Sequence, residues 1–147
     1  MNPHPSNTEL TKYYQNYIDK KSPGCVNHEF RYSGSNNEEV YRMYKLSLND
    51  IGIGFDELNG KTILDYGCAN GAFLDLLNSN GCKKNDLYGF DISNDMINQV
   101  EKKGYNKQKF LKSNYFDYIF LWDVIEHITE PHKIIASIKL SLKPGGG

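Results

Sequence analysis

The sequence predicts an α/β fold of the doubly wound class, in which a parallel sheet carries helices on both faces. Short apolar runs of strand type alternate with segments of helical periodicity from about residue 62 to residue 142. One of those runs, DYIFLW at 117–122, is almost wholly apolar and aromatic, as a strand buried on both faces must be. Strand and helix in alternation imply right-handed crossovers, and these fix a parallel sheet.

The elements follow in order. Residues 1–35 are rich in Asn, Ser, Pro, Lys and Tyr without sustained periodicity, and they read as an N-terminal arm or cap preceding a single domain at 36–147. Ser35-Asn36-Asn37-Glu38 has the form of a capping box, and Val40, Met43, Tyr44, Ser47, Leu48 and Ile51 follow at helical spacing, so a helix is predicted over about 37–50. Thr62 to Tyr66 is a first strand, ended by Gly67. From Gly71 to Asn80 the residues Phe73, Leu74 and Leu77 share one helical face, with Asn80-Gly81 as the stop. Leu87 to Asp91 is a second strand, Ser93 caps a helix bearing Met96, Ile97 and Val100, and Gly104 closes it. Pro131 suits the first turn of a last helix carrying Ile134, Ile135, Ile138 and Leu142.

Composition sets outer bounds. The 147 residues are 39% apolar and 24% charged, which suits one soluble globular domain with a real core. Seventeen basic residues nearly balance eighteen acidic ones, and a net charge of -1 offers no global field for nucleic acid or an anionic membrane. The one local basic cluster, Lys102, Lys103, Lys107, Lys109 and Lys112, reads as a solvated helix end. Three cysteines without paired spacing argue against a disulfide framework and for a reducing, cytoplasmic setting. Cys25 and His28 form C-x-x-H, but no second ligand pair follows to complete a zinc site. No stretch approaches the ~20 apolar residues of a membrane span.

In a parallel sheet of this class ligands bind beyond the carboxyl ends of the strands, and the first such end is Asp65-Tyr66-Gly67-Cys68-Ala69-Asn70-Gly71. Gly67 permits a tight turn there, and Gly71 lets backbone approach a ligand at the helix start. Asp91 ends the second strand, where a carboxylate can accept both hydroxyls of a ribose. The dinucleotide fingerprint G-x-G-x-x-G is not met, because Ala69 and Ala72 stand where its second and third glycines belong. Asp65 would also repel a pyrophosphate, whereas it suits a ligand bearing an ammonium and a sulfonium. A dehydrogenase is thereby disfavoured.

Four segments, ILDYGCANGAFL, YGFDIS, FDYIFLWDVIEHITEP and LKPGGG, together resemble successive motifs of the class I S-adenosylmethionine-dependent methyltransferases, from Ile63 to the C-terminus. The resemblance implies a Rossmann-like fold with S-adenosylmethionine as cofactor. It implies that Asp65, Gly67, Cys68 and Gly71 shape the pocket for the methionine part, that Asp91 holds the ribose, and that Ile92 lies against adenine. Trp122, at the end of the strand DYIFLW, is a candidate wall of that pocket and equally a candidate core residue. The sequence departs from the family at Ala69, which replaces a glycine and is accommodated if its φ stays negative. It also has no acid from Lys102 to Phe116, which leaves Ser113, Asn114 or backbone for the adenine contact. The family continues past LKPGG into a fifth strand and a reversed pair, so the copy is expected to lack its last strands. Pro144 should then stand beside an uncovered edge prone to self-association.

After the fourth strand, Asp123, Glu126 and His127 would share one face if the chain turned helical there, since their spacings are i, i+3 and i+4. Such a face could hold magnesium, as a similar E-x-I-E-H segment does in small-RNA methyltransferases; ubiquinone-pathway O-methyltransferases have related segments. A base or orienting role for His127 or Asp123 toward the acceptor is favoured over that metal site, and a purely structural or cofactor-rim role stands ahead of both. The reaction implied is in-line methyl transfer to an oxygen of a small molecule or saccharide. RNA methylation with magnesium, and a noncatalytic cofactor-binding remnant, are the alternatives.

Overall fold

A computed structural model describes residues 37–147, together with Thr8, Glu9 and Lys12. The capping-box residues Ser35 and Asn36, the Cys25–His28 pair and nearly all of the predicted arm lie outside the described residues.

Four strands form one parallel sheet in the order β3-β2-β1-β4: β1 is Ile63–Tyr66, β2 Leu87–Phe90, β3 Asn106–Lys107 and β4 Tyr118–Phe120. In register, Asp65 stands opposite Gly89 of β2 and Phe120 of β4. The helices are α1 (Asn37–Asp50), α2 (Phe55–Leu58), α3 (Ala72–Ser79), α4 (Asn94–Lys102) and α5 (Pro131–Ser141). The period-2 alternation of a strand divides the core into two. Ile63 of β1 and Leu87 of β2 pack with Leu48 of α1, Phe73 and Leu77 of α3 and Val100 of α4 on one face. Leu64, Tyr66, Tyr88 and Phe90 turn to the other face, against Phe116, Ile119 and Ile138 of α5. Helices therefore cover both faces, as the doubly wound class requires.

Local chemistry accounts for the boundaries. The Ser93 hydroxyl accepts the Met96 N–H at 3.4 Å, as an N-cap should, and Gly104 at φ +85° ends α4. Pro131 opens α5 at its first turn. β3 has only two residues, but the Gln108 N–H reaches the Gly89 carbonyl at 2.8 Å and extends its pairing with β2. Residues 108–117 then cross to β4 without a helix.

The outer side of β4 differs from expectation. From Phe116 to Ile119 it is paired with the residues that follow α5. The Lys143 N–H donates to the Phe116 carbonyl at 2.8 Å, the Gly147 N–H to Asp117 at 3.0 Å, and the Ile119 N–H to the Gly147 carbonyl at 2.9 Å. Lys143 Nζ also meets Asp117 Oδ2 at 2.7 Å. The chain just after Pro144 thus covers this stretch of edge instead of leaving it bare. No helix among the described residues is long and apolar enough to cross a membrane.

Candidate functional site

The carboxyl ends of β1 and β2 meet at a loop whose backbone is bonded on several sides. The Gly67 and Cys68 N–H groups both donate to the Phe90 carbonyl, at 2.7 and 2.9 Å, which carries the β1–β2 pairing into the loop. The Gly71 N–H closes a turn on the Cys68 carbonyl at 2.8 Å. Asn70 Oδ1 then accepts the Ala72 N–H at 3.2 Å and satisfies one of the donors at the start of α3.

Gly67 and Gly71 both have positive φ, +90° and +81°. A β carbon on Gly67 would overlap the side chain of Val124, which lies directly against it. The glycine therefore admits a neighbouring side chain as well as a tight turn. At Gly71 a β carbon would lie 3.2 Å from Val100 Cγ2. The glycine therefore also lets α4 pack closely against the loop. Ala69 has φ +44°, not the negative φ that would accommodate it without cost. A non-glycine residue in this region carries roughly 1–2 kcal/mol of strain and persists only where its surroundings hold it.

Asp91 supplies one of those holds. Its Oδ2 accepts the Ala69 N–H at 2.9 Å and its Oδ1 the Ser93 N–H at 2.8 Å. The residue expected to bind a ribose is thus first a structural partner of the glycine loop. Burial raises its carboxyl above the ordinary value, and the backbone N–H bonds from Ser93, Ala69 and Ile92 oppose that rise. Ile92 beside it is 42% exposed, an apolar side chain at the lip of the site.

Asp65 is 2% exposed, and its Oδ1 has no hydrogen-bond partner among the described residues. Burial first, and then the charge of Asp91, push its carboxyl up to about 8. A buried carboxyl with an unused oxygen, at the base of a positive-φ glycine loop, fits a cationic group such as the ammonium of a bound methionine moiety. Cys68 is buried, with a β carbon on Gly89 falling 2.8 Å from its Sγ, so its side chain packs beneath the loop. Burial, then Asp65 and Asp91, raise its thiol well above the usual range, which makes it inert as a nucleophile.

Trp122 lies within an aromatic group. Its ring stacks on Phe120 at 5.5 Å, meets Phe73 edge-on at 5.2 Å and tilts against Tyr44 of α1 at 5.5 Å. Its Nε1 is the other buried side-chain polar atom without a partner among the described residues.

The segment after β4 does not continue as an α-helix. Asp123 takes φ +52°, and a 3-10 turn spans Ile125–His127. The spacing argument for a common face of Asp123, Glu126 and His127 presupposed α-helical geometry and fails here. Among the described residues no three His, Cys, Asp or Glu side chains converge as metal ligands. His127 and Glu126 side chains are each 51% exposed, with Nε2 and Oε1 3.9 Å apart.

The sequence reading also missed Lys103. It is not part of a solvated helix end: its Nζ donates to the Asn70 carbonyl at 2.7 Å and to Asp75 Oδ2 at 2.6 Å. Lys107 pairs with Glu101, and Lys112 lies over the Tyr88 and Tyr115 rings.

A family model described as a methyltransferase domain matches residues 39–147. The chain belongs to this family. It is 29% identical to a ubiquinone biosynthesis O-methyltransferase of Coxiella burnetii, over 60% of this chain and 42% of that protein. It is 32% identical to a tRNA U34 carboxymethyltransferase of Campylobacter curvus, over 60% of this chain and 33% of that one. The match thus spans less than half the length of either relative. Among solved structures, a SAM-dependent methyltransferase from Archaeoglobus fulgidus superposes with a TM-score of 0.57 at 24% identity, covering 79% of this chain and 52% of that one. At that identity the superposition speaks to the fold, and it is the fold expected of a class I S-adenosylmethionine-dependent methyltransferase.

Proposed function

We propose that this chain is the cofactor-binding domain of an S-adenosylmethionine-dependent enzyme that methylates an oxygen of a small molecule or saccharide in a cytoplasmic setting. The observation that carries the cofactor assignment is the buried, half-partnered Asp65 carboxyl beneath a glycine loop that Asp91 latches. When bound, S-adenosylmethionine supplies a methyl group made electrophilic by its sulfonium. Asp65 would meet the ammonium, Asp91 has lone pairs left that would take ribose hydroxyls, and Ile92 would offer an apolar surface to adenine. The family's acidic adenine contact has no counterpart in residues 102–116, and that contact falls to Ser113, Asn114 or backbone.

The protein's part in methyl transfer is alignment of two bound partners, with removal of a proton from the acceptor hydroxyl. His127 is our candidate for the group that takes it. The imidazole accepts the hydroxyl proton as the oxygen–carbon bond forms and the carbon–sulfur bond breaks. Asp123, held at the end of β4, is the candidate for orienting the acceptor. The small-molecule reading is supported by the names of the ubiquinone-pathway relatives and by lysines already engaged within the fold. The tRNA-directed relative favours RNA instead.

Calorimetric titration with S-adenosylmethionine tests cofactor binding, and absence of heat at millimolar cofactor would favour a noncatalytic remnant. A tritiated-methyl screen of phenolic, saccharide and RNA pools, with and without magnesium, tests the acceptor. Labelled RNA that appears only with magnesium would overturn the small-molecule assignment.

A further inference from the structure

The Ala69–Asn70 peptide is gripped from two directions by residues distant in sequence. Asp91 takes the N–H on its near side, at Ala69, and Lys103 donates to the carbonyl on its far side, at Asn70. Between these grips lies the strained φ of +44° at Ala69. A backbone conformation of that kind relaxes unless it is over-determined, and the Gly71–Cys68 bond of the turn alone does not prevent rotation of the intervening peptide. Lys103 is itself anchored: Asp75 of α3 fixes its Nζ at 2.6 Å, and the Tyr105 hydroxyl holds the other oxygen of Asp75 at 2.7 Å. Carbonyl, ammonium and carboxylate thus form a rigid bracket from α4 to α3 beneath the loop.

We infer that Lys103 is a positioning residue for cofactor binding, holding the Asn70 carbonyl so that the strained glycine loop stays in its binding-competent form. The inference rests on the reading of the loop as an S-adenosylmethionine site. With the ammonium removed, the loop spends part of its time relaxed, and apparent affinity falls in proportion to the competent fraction lost. The dependence on Lys103 comes from the strain at Ala69, so it disappears when that strain is removed. Asp75 serves Lys103, and Lys103 serves the loop through Asn70.

The test is calorimetric titration of S-adenosylhomocysteine into the full 147-residue chain and its Lys103→Met, Lys103→Arg, Ala69→Gly and Ala69→Gly/Lys103→Met variants, each checked for a cooperative thermal transition. The expected result for Lys103→Met is a Kd raised by roughly tenfold, the loss of one charge-assisted hydrogen bond discounted for partial exposure. Lys103→Arg should recover most of that. In the Ala69→Gly background the same lysine substitution should cost less than about threefold, a difference that a purely structural role would not produce. Equal affinity in wild type and Lys103→Met, or an equal loss in both backgrounds, overturns the inference. If Lys103→Met does not fold, the comparison passes to Lys103→Gln with and without Ala69→Gly, and full affinity of both, or an equal loss in both, overturns it. No binding by wild type overturns the cofactor reading itself, and with it any positioning role.

Discussion

The Asp91 carboxylate accepts the Ala69 N–H at 2.9 Å, so the acid that ends β2 holds the one non-glycine residue of the loop that has positive φ. Two positions that the sequence presents as independent, a ribose acid and a substituted glycine, are one mechanical unit.

Ala69→Gly should therefore stabilise the protein. Relief of the left-handed alanine is worth roughly 1–2 kcal/mol, and the added freedom of glycine in the unfolded chain returns about 0.5–1. A net gain of about 0.5–1 kcal/mol is expected in urea unfolding. A loss of stability would mean that the alanine methyl makes a packing contribution larger than the strain.

Asp65 gives stability a pH dependence of definite sign. Its ordinary value is 3.8, and in the folded protein it is about 8. Below the lower value the carboxyl is neutral in both states. As pH rises from there toward about 8 only the unfolded chain ionises, so each unit removes about 1.4 kcal/mol from folding, and above the upper value the loss is complete. Asp65→Asn should remove this slope, so the variant gains on wild type between pH 5 and pH 8 in parallel unfolding experiments. Binding of an ammonium-bearing ligand by wild type near pH 7 should also release protons, seen as a titration heat that changes with the buffer's ionisation enthalpy. No buffer dependence would count against a cation at Asp65.

Gly67→Ala should be strongly destabilising. It adds a methyl where Val124 already lies and imposes φ +90° on an alanine. Strain and overpacking together cost about 3 kcal/mol. Val124→Ala removes the steric part alone, so a double-mutant cycle should show favourable coupling of about 1 kcal/mol between the two sites. Strict additivity would show that Val124 does not limit Gly67.

Much of this architecture was legible in the sequence because it is periodic or punctuated. β1, β2, α1, α3, α4 and α5 lie within a residue or two of their predicted bounds. The two-residue β3 was not, since Asn106–Lys107 has no apolar run and exists because β2 offers it an edge. Asp65, Gly67 and Asp91 could be picked out because a motif fixes their order. Lys103 and Val124 could not, because what they do depends on a carbonyl and a glycine brought to them by the fold. The negative φ that would ease Ala69 and the helix that would align Asp123, Glu126 and His127 are both absent: φ at position 69 and the 3-10 turn at Ile125–His127 depend on contacts that local sequence does not encode.

That turn shapes the last prediction, for His127. The residue stands beyond β4 on a 3-10 turn with its side chain 51% exposed, while Val124 of the same segment lies against Gly67 of the cofactor loop. The two are only three residues apart, and the His127 N–H donates to the Val124 carbonyl at 3.0 Å. The His127 backbone is thereby tied to the residue that packs on Gly67, while its side chain is half exposed. If His127 serves the acceptor, His127→Ala should leave cofactor Kd within about twofold and lower kcat on a hydroxyl acceptor by about 10²–10⁴-fold, the usual contribution of a general base. The loss should shrink with acceptors whose hydroxyl is already ionised at the assay pH, since these need no base. An unaltered kcat on the true acceptor would remove His127 from the chemistry and leave proton removal to solvent or to another group.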